Sequence, residues 1–153
     1  MGSRNDPHEV IEALAGHEDA VGELYSVFAM KFKREADLWA TLADQEESHA
    51  ALLRSLGAKA EDLAIFIDAD RFDPRELRHE SRQVREQVQV AEYSHLSLRE
   101  ALEDAIQLEE DMAESHSFRV FSTDTPSVQR VLSRLREDSV AHRERLRRRL
   151  AAL

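Results

Sequence analysis

Glu46 and His49 stand three residues apart in Leu-Ala-Asp-Gln-Glu46-Glu-Ser-His49-Ala, and Ser139 and His142 repeat that spacing with a hydroxyl in the place of the acid. On a helix, residues three apart share a face, so a Glu and a His so spaced can reach one ion together. Charged side chains normally avoid a buried stripe, because an isolated ionised carboxylate in low dielectric costs many kcal/mol. The exceptions are therefore informative. At about 100° per residue, Glu18 falls within the apolar stripe of its helix, whereas Glu12 and Glu23 fall outside it. Glu46 and His49 lie near the centre of theirs, and Glu47 points away. Among the acids from Glu100 to Glu114, only Glu109 sits inside the stripe of Leu98, Ala101, Leu102, Ala105, Met112 and Ala113. Ser139 and His142 occupy the last helix's stripe, with Asp138 on its flank.

These positions also agree in height. Two residues of an antiparallel helical hairpin are level when the turn lies midway between them. For Glu18 and Glu46 the midpoint is Phe32, beside a helix junction, and for Glu109 and Ser139 it is Asp124, within Ser122-Thr123-Asp124-Thr125-Pro126. The two halves thus repeat one pattern, an acid followed by Glu46xxHis49 and an acid followed by Ser139xxHis142. Carboxylates gathered at one buried level repel unless a cation neutralises them. Oxygen with imidazole suits iron, manganese or zinc. The expected ligands are Glu18, Glu46, His49, Glu109 and His142. A lone histidine on an apolar face, such as His142, is ordinarily a satisfied core residue, and its symmetry with His49 is what raises it to a ligand. Tyr25 and His116, each seven residues past a candidate acid, read as core groups hydrogen-bonded to those acids. Asp138 stands where it could swing in to replace the missing bridge.

The elements that must hold these residues are helices. Gly and Pro are few, with 4 and 3 respectively, and apolar residues recur at three and four. The spacing predicts a helix from His8 to Phe32 and a second from Arg34 to Leu56, with Gly57 placed to end it. An extended or irregular piece follows from Ala58 to Phe72, including the apolar run Leu63 to Ile67. Asp73-Pro74-Arg75-Glu76 supplies an N-cap, a first-turn proline and a capping-box acid. The narrow stripe of Leu77, Val84, Val88 and Ala91 marks the helix that follows as a crossover packed on the bundle surface. Ser97-Leu98-Arg99-Glu100 opens a helix to about Phe121, and Thr125-Pro126 opens the last, which runs nearly to the end. Two hairpins joined by a connection of about forty residues give the single-crossover four-helix topology.

At 153 residues the chain is expected to form one domain, spanning 1–153. Cysteine is absent, which removes disulfides, thiolate nucleophiles and cysteine-held iron–sulfur centres. A formal net charge of −10 argues against nucleic acid or an anionic membrane as partner. The arginines at 143, 145, 147, 148 and 149 complement a helix C-terminus. With no secretion signal and no apolar run of spanning length, a cytoplasmic, soluble protein is expected.

From Ala15 to Leu146 the chain resembles the rubrerythrin-type branch of the ferritin-like superfamily. The carriers are Glu18 followed by Tyr25, the Glu46xxHis49 helix, and Ala-Ile-Gln-Leu-Glu109. The resemblance implies an all-α ferritin-like four-helix bundle with a di-iron carboxylate site, Glu18 and Glu109 being outer ligands and Glu46 a bridge. It implies oxygen, peroxide or iron-oxidation chemistry, hence a di-iron oxidoreductase holding one or two iron ions, with zinc or manganese as substitutes. Two departures stand out. Ser139 replaces the family's other bridging glutamate, and Met112 replaces a second acid on the third helix. A serine hydroxyl is a poor metal ligand at neutral pH. No rubredoxin-like tail is present, so electrons would come from an external donor protein. A second copy of the chain, as a homodimer, is the other expected partner. The alternative expectation is the same bundle with a decayed site, kept as a structural or protein-interaction module.

Overall fold

Asp6 opens the first helix: its side chain accepts a hydrogen bond from the His8 backbone N–H at 3.0 Å, and Pro7 sits in the first turn. The computed structural model describes residues 6–59, 66–67, 73–114, 121–122 and 126–153. Helix α1 spans Pro7–Lys31, and a 3-10 turn at Lys33–Glu35 leads into α2, Ala36–Ala58. The expected hairpin is present, with one correction. Gly57 does not end α2; it lies buried inside the helix, and a Cβ there would meet Ile11 Cγ2 at 3.1 Å. Its missing side chain serves close packing of the two helices and not termination.

Helix α3, Pro74–Tyr93, starts under Asp73, whose carboxylate accepts from the Arg75 N–H at 2.9 Å. Helix α4, Leu98–Glu114, starts at Ser97, whose hydroxyl oxygen accepts from the Glu100 N–H at 3.1 Å. The α4 boundary differs from the expected one. Phe121, expected in the helix, lies in β2, Phe121–Ser122, which pairs antiparallel with β1, Phe66–Ile67. Extended backbone in the two long connections finds its hydrogen bonds across this short ladder, and the apolar residues that looked like helix tail suit it equally. Of the stretch expected to be irregular, Ala58 instead ends α2 and Lys59 caps it, while residues 60–65 and 68–72, and His116, lie outside the described residues. Helix α5 spans Pro126–Ala151.

Side-chain contacts fix the directions. Gly57 of α2 lies against Ile11 while Gly22 of α1 lies against Ala43 and Glu46, so α1 and α2 are antiparallel, and Arg54 of α2 bonds Glu12 and Asp19 of α1. Arg78 meets Glu9, Ser81 meets His17 and Arg85 meets the Gly16 carbonyl, so α3 runs parallel to α1 and carries the chain back along it. Lys31 closes that end, donating to the Ala91 and Ser94 carbonyls in the last turn of α3, where a cation also favours the helix dipole. Along α2 and α5, His49 faces Asp138, Gln45 faces His142 and Glu35 faces Arg149, again antiparallel. The C-terminal arginines are partly committed to such pairs, Arg147 to Glu110 and Glu144, and Arg149 to Glu35. Among the described residues no helix is long and apolar enough to cross a membrane.

The apolar core has two parts. One gathers Val10, Ile11, Leu14, Leu53, Leu56, Leu77, Leu132 and Leu135; the other gathers Val21, Leu24, Tyr25, Phe28, Trp39, Leu42, Val84, Leu102 and Leu146. In the second part Trp39 packs edge-on to Phe28 and tilted to Tyr25, with ring centroids at 4.9 and 5.6 Å. On α1, α2, α3 and α5 the two parts are separated by a polar interval that holds Glu18, Glu46, His49 and His142.

Candidate metal centre

Four helices contribute to a cluster of buried acids and histidines. Glu18 comes from α1, Glu46 and His49 from α2, Glu109 from α4, and Ser139 and His142 from α5; none is more than 5% exposed. Their stripes demand this, because each sits where its helix turns toward the axis shared by the others. Gly22 brings α1 against α2 at this height. A Cβ there would lie 3.3 Å from Glu46 Cβ and 3.5 Å from the Ala43 carbonyl oxygen.

The five expected ligands form two overlapping triads. Glu18, Glu46 and His49 make one, and Glu46, Glu109 and His142 the other; within each, one ligand atom per residue lies within 4.8 Å of the rest. Glu46 belongs to both. His49 Nδ1 stands 3.5 Å from Glu46 Oε2 and 3.9 Å from Glu18 Oε2. His142 Nδ1 stands 3.1 Å from Glu46 Oε1 and 3.4 Å from Glu109 Oε1. The two imidazoles are near parallel, with centroids 5.7 Å apart and planes inclined by 18°.

Each ring is aimed by a hydrogen bond on its far side. His49 Nε2 donates to Asp138 Oδ2 at 2.9 Å and His142 Nε2 donates to Gln45 Oε1 at 2.5 Å, which turns both Nδ1 atoms inward. Asp138 therefore does not occupy the place of a missing bridge, since its carboxylate is engaged on His49. Tyr25 finds an acid as expected, but across the bundle: its hydroxyl donates to Glu109 Oε1 at 2.9 Å. Met112 is packed in the apolar core.

Several buried donor atoms of the cluster are left over. Glu18 Oε2, Glu46 Oε2, Glu109 Oε2 and His49 Nδ1 are buried without hydrogen-bond partners, and Ser139 Oγ joins them. Buried oxygens are rarely left so unless something else satisfies them. His142 Nδ1 is hydrogen-bonded to Glu46 Oε1 at 3.1 Å, and three carboxylates with two imidazoles make a donor set that fits divalent iron, manganese or zinc. Without a cation, protons carry the neutralising charge. Burial, followed by the Glu46 carboxylate beside it, pushes Glu18 up to about 8. Burial opposes charge on His49, but the Glu18 and Glu46 carboxylates facing Nδ1 override it and raise the ring to about 11. His142 rises to about 9 against the same penalty, held up by Glu109 and Glu46. Burial, then the Glu109 charge, raises Tyr25 well above its ordinary value.

Sequence reasoning missed Gln45 and the true role of Asp138. A signal existed. Each immediately precedes the first member of a spaced pair, Gln45 before Glu46xxHis49 and Asp138 before Ser139xxHis142, and each bonds the histidine of the other pair. A second buried pair also went unremarked. His17 Nδ1 donates to Ser81 Oγ at 3.1 Å, and the serine hydroxyl donates to the Leu77 carbonyl at 2.9 Å.

Comparison of the chain with protein-family models, with curated proteins and with solved structures returns no match.

Proposed function

We propose that this protein is a ferritin-like metal protein of the rubrerythrin type, holding two divalent ions, most naturally iron, between its two helical hairpins. Glu18 and His49 would serve one ion, Glu109 and His142 the other, and Glu46 would bridge them. The observation that carries this reading is the sharing of Glu46 by two triads in which one oxygen of each of the three carboxylates, and His49 Nδ1, lack hydrogen-bond partners. Bound iron would supply one-electron redox chemistry toward oxygen, peroxide or ferrous iron itself.

The chain's own groups support that use. Asp138 and Gln45 hold the imidazoles with Nδ1 inward, so little reorganisation accompanies binding. Glu18, His49 and His142 give up protons as a cation enters, which couples metal uptake to proton release. The core on either side excludes water from the carboxylates and strengthens their hold. Tyr25 keeps Glu109 in place and, being buried and hydrogen-bonded to a carboxylate, has a ready acceptor for its proton. Without cysteine in the sequence, an iron–sulfur centre held by these residues would not be the source of electrons.

Anaerobic titration with ferrous iron, followed by elemental analysis, tests the reading. The expected result is two ions per chain, a higher melting temperature by mass action, and loss of one or both ions in Glu46→Ala and His49→Ala. A chain that takes up no metal, or variants that bind it unchanged, would leave a bundle whose buried acids are satisfied by protons alone, a purely structural module.

A further inference from the structure

Helix α3 carries Arg75, Arg78, Arg82 and Arg85 at spacings of three, four and three. At about 100° per residue they fall within about 80° of one another, on one flank of the helix. That flank faces α1, because Arg78 bonds Glu9 and Arg85 reaches the Gly16 carbonyl. Glu86, one turn on from Arg82, lies on the other flank and lines the space toward α4. In a chain with a formal net charge of −10 this flank is a local reversal of sign.

The arginines stand over a groove of about 700 Å³ between α1 and α3, a size suited to a small molecule. Its α1 wall is made of small residues. Ala13 and Gly16 line it, and a Cβ on Gly16 would meet nothing within 4 Å. The acids of the groove are already paired, Glu9 with Arg78 at 3.0 Å and Glu12 with Arg54 of α2. Arg75 turns to its own cap, Asp73. Arg82 and Arg85 remain. Arg82 has no hydrogen bond or ion pair among the described residues, and Arg85 has one long contact, 3.4 Å to the Gly16 carbonyl, which leaves most of its fork of donors unspent.

We propose that this groove binds a small organic phosphate, with the phosphate on Arg82 and Arg85 and the organic part over Ala13 and Gly16. The guanidinium fork matches phosphate oxygens in pairs. A phosphomonoester carries about two negative charges at neutral pH, which the two unspent guanidiniums balance, whereas a monocarboxylate leaves one over. The apolar stems of the arginines face the small residues of α1, so the organic part is lined on both sides. Inorganic phosphate would leave that lining uncovered, and a long polyanion would meet the acidic remainder of the surface. None of these residues belongs to the buried acid and histidine cluster, so the site is expected in the metal-free chain.

Phenyl phosphate is the probe, titrated calorimetrically into full-length protein kept metal-free with chelator, so that no contact between metal and phosphate contributes. The expected result is saturable binding at one site per chain, with inorganic phosphate competing at least about tenfold more weakly. Arg82→Gln combined with Arg85→Gln, both on an exposed flank and so compatible with the fold, lowers phenyl phosphate affinity at least about tenfold. Gly16→Leu keeps both guanidiniums and fills the small wall, and it puts a better helix former where a Cβ meets nothing. It lowers affinity for phenyl phosphate while inorganic phosphate binds as before. The absence of saturable binding overturns the proposal, as does a double glutamine variant with parental affinity. A Gly16→Leu protein that holds phenyl phosphate like the parent overturns the groove as the seat of binding and leaves surface charge alone.

Discussion

Asp138 has one oxygen on His49 and a side chain about a third exposed, at 35%. Its contribution is orientation, because a carboxylate can only accept, which places the Nε2 proton outward and leaves Nδ1 to face Glu18 and Glu46. Removing such a partner typically lowers metal affinity by about 10- to 100-fold. Asp138→Ala is expected to lose affinity in that range at one ion, with the fold intact, and Asp138→Asn to recover part of it because an amide oxygen still accepts. Competition against a chelator measures both variants; equal affinities for parent, Ala and Asn would remove Asp138 from the site. The stripe argument located Glu18, Glu46, His49, Glu109 and His142 because a charge at an apolar phase is anomalous within a single helix. It could not find this contact, since the phase of Asp138 on α5 says nothing of which ring on α2 it meets. The same limit applies to Tyr25, whose partner is on α4 and not on its own helix.

At the scale of elements, the caps at Asp73 and Ser97 were legible because Asp and Ser there offer an acceptor to backbone donors that a helix start leaves bare. Gly57 was misread for an equally local reason, since glycine near the end of a pattern marks termination in one setting and close approach in another. Only the partner helix decides, and here it is Ile11 that stands 3.1 Å from the absent Cβ. The two glycines at the α1–α2 contact then have separable consequences. Gly57→Ala presses on a buried β-branched side chain with little rotamer freedom, so overpacking of about 1–3 kcal/mol outweighs the helix-propensity gain of about 1 kcal/mol. Its melting temperature should fall while metal binding stays near normal. Gly22→Ala presses on Glu46 Cβ, which cannot rotate away, so α2 itself must move and the shared ligand with it. Metal affinity should fall in this variant more than stability does. Chemical denaturation beside metal titration separates the two, and a Gly22→Ala protein with parental metal affinity would mean that Glu46 tolerates the shift. The β1–β2 pair belongs to the same lesson, because a two-residue ladder between distant connections leaves no periodicity to detect.

For the molecule as a whole, the polar interval between two apolar clusters makes stability depend on protons or on metal, and the direction follows from the shifts. Glu18 titrates at about 8 when folded against 4.5 as an isolated group, so the folded state holds more protons across that interval. His142 does the same from 6.5 to about 9, and His49 from 6.5 to about 11. Stability falls with rising pH wherever the native state binds more protons than the unfolded one. The histidine contributions are therefore complete below 6.5 and are lost as pH passes 9 and then 11, while Glu18, kept protonated in the fold but ionised in the unfolded chain, costs progressively more stability as pH rises from 4.5 to 8. The surface carboxylate of Asp73, lowered by the Arg75 backbone and side chain, acts in the opposite direction, but on a solvated surface group whose effect is small. The metal-free protein should thus lose thermal stability between pH 6 and pH 9, a range inside the intervals just given. A divalent cation replaces those protons, so the rise in melting temperature it produces should grow over the same range. Melting curves with chelator and with saturating metal at several pH values test both halves. A metal-free protein whose stability rises toward pH 9 would mean that the buried acids and histidines do not share protons as their contacts require.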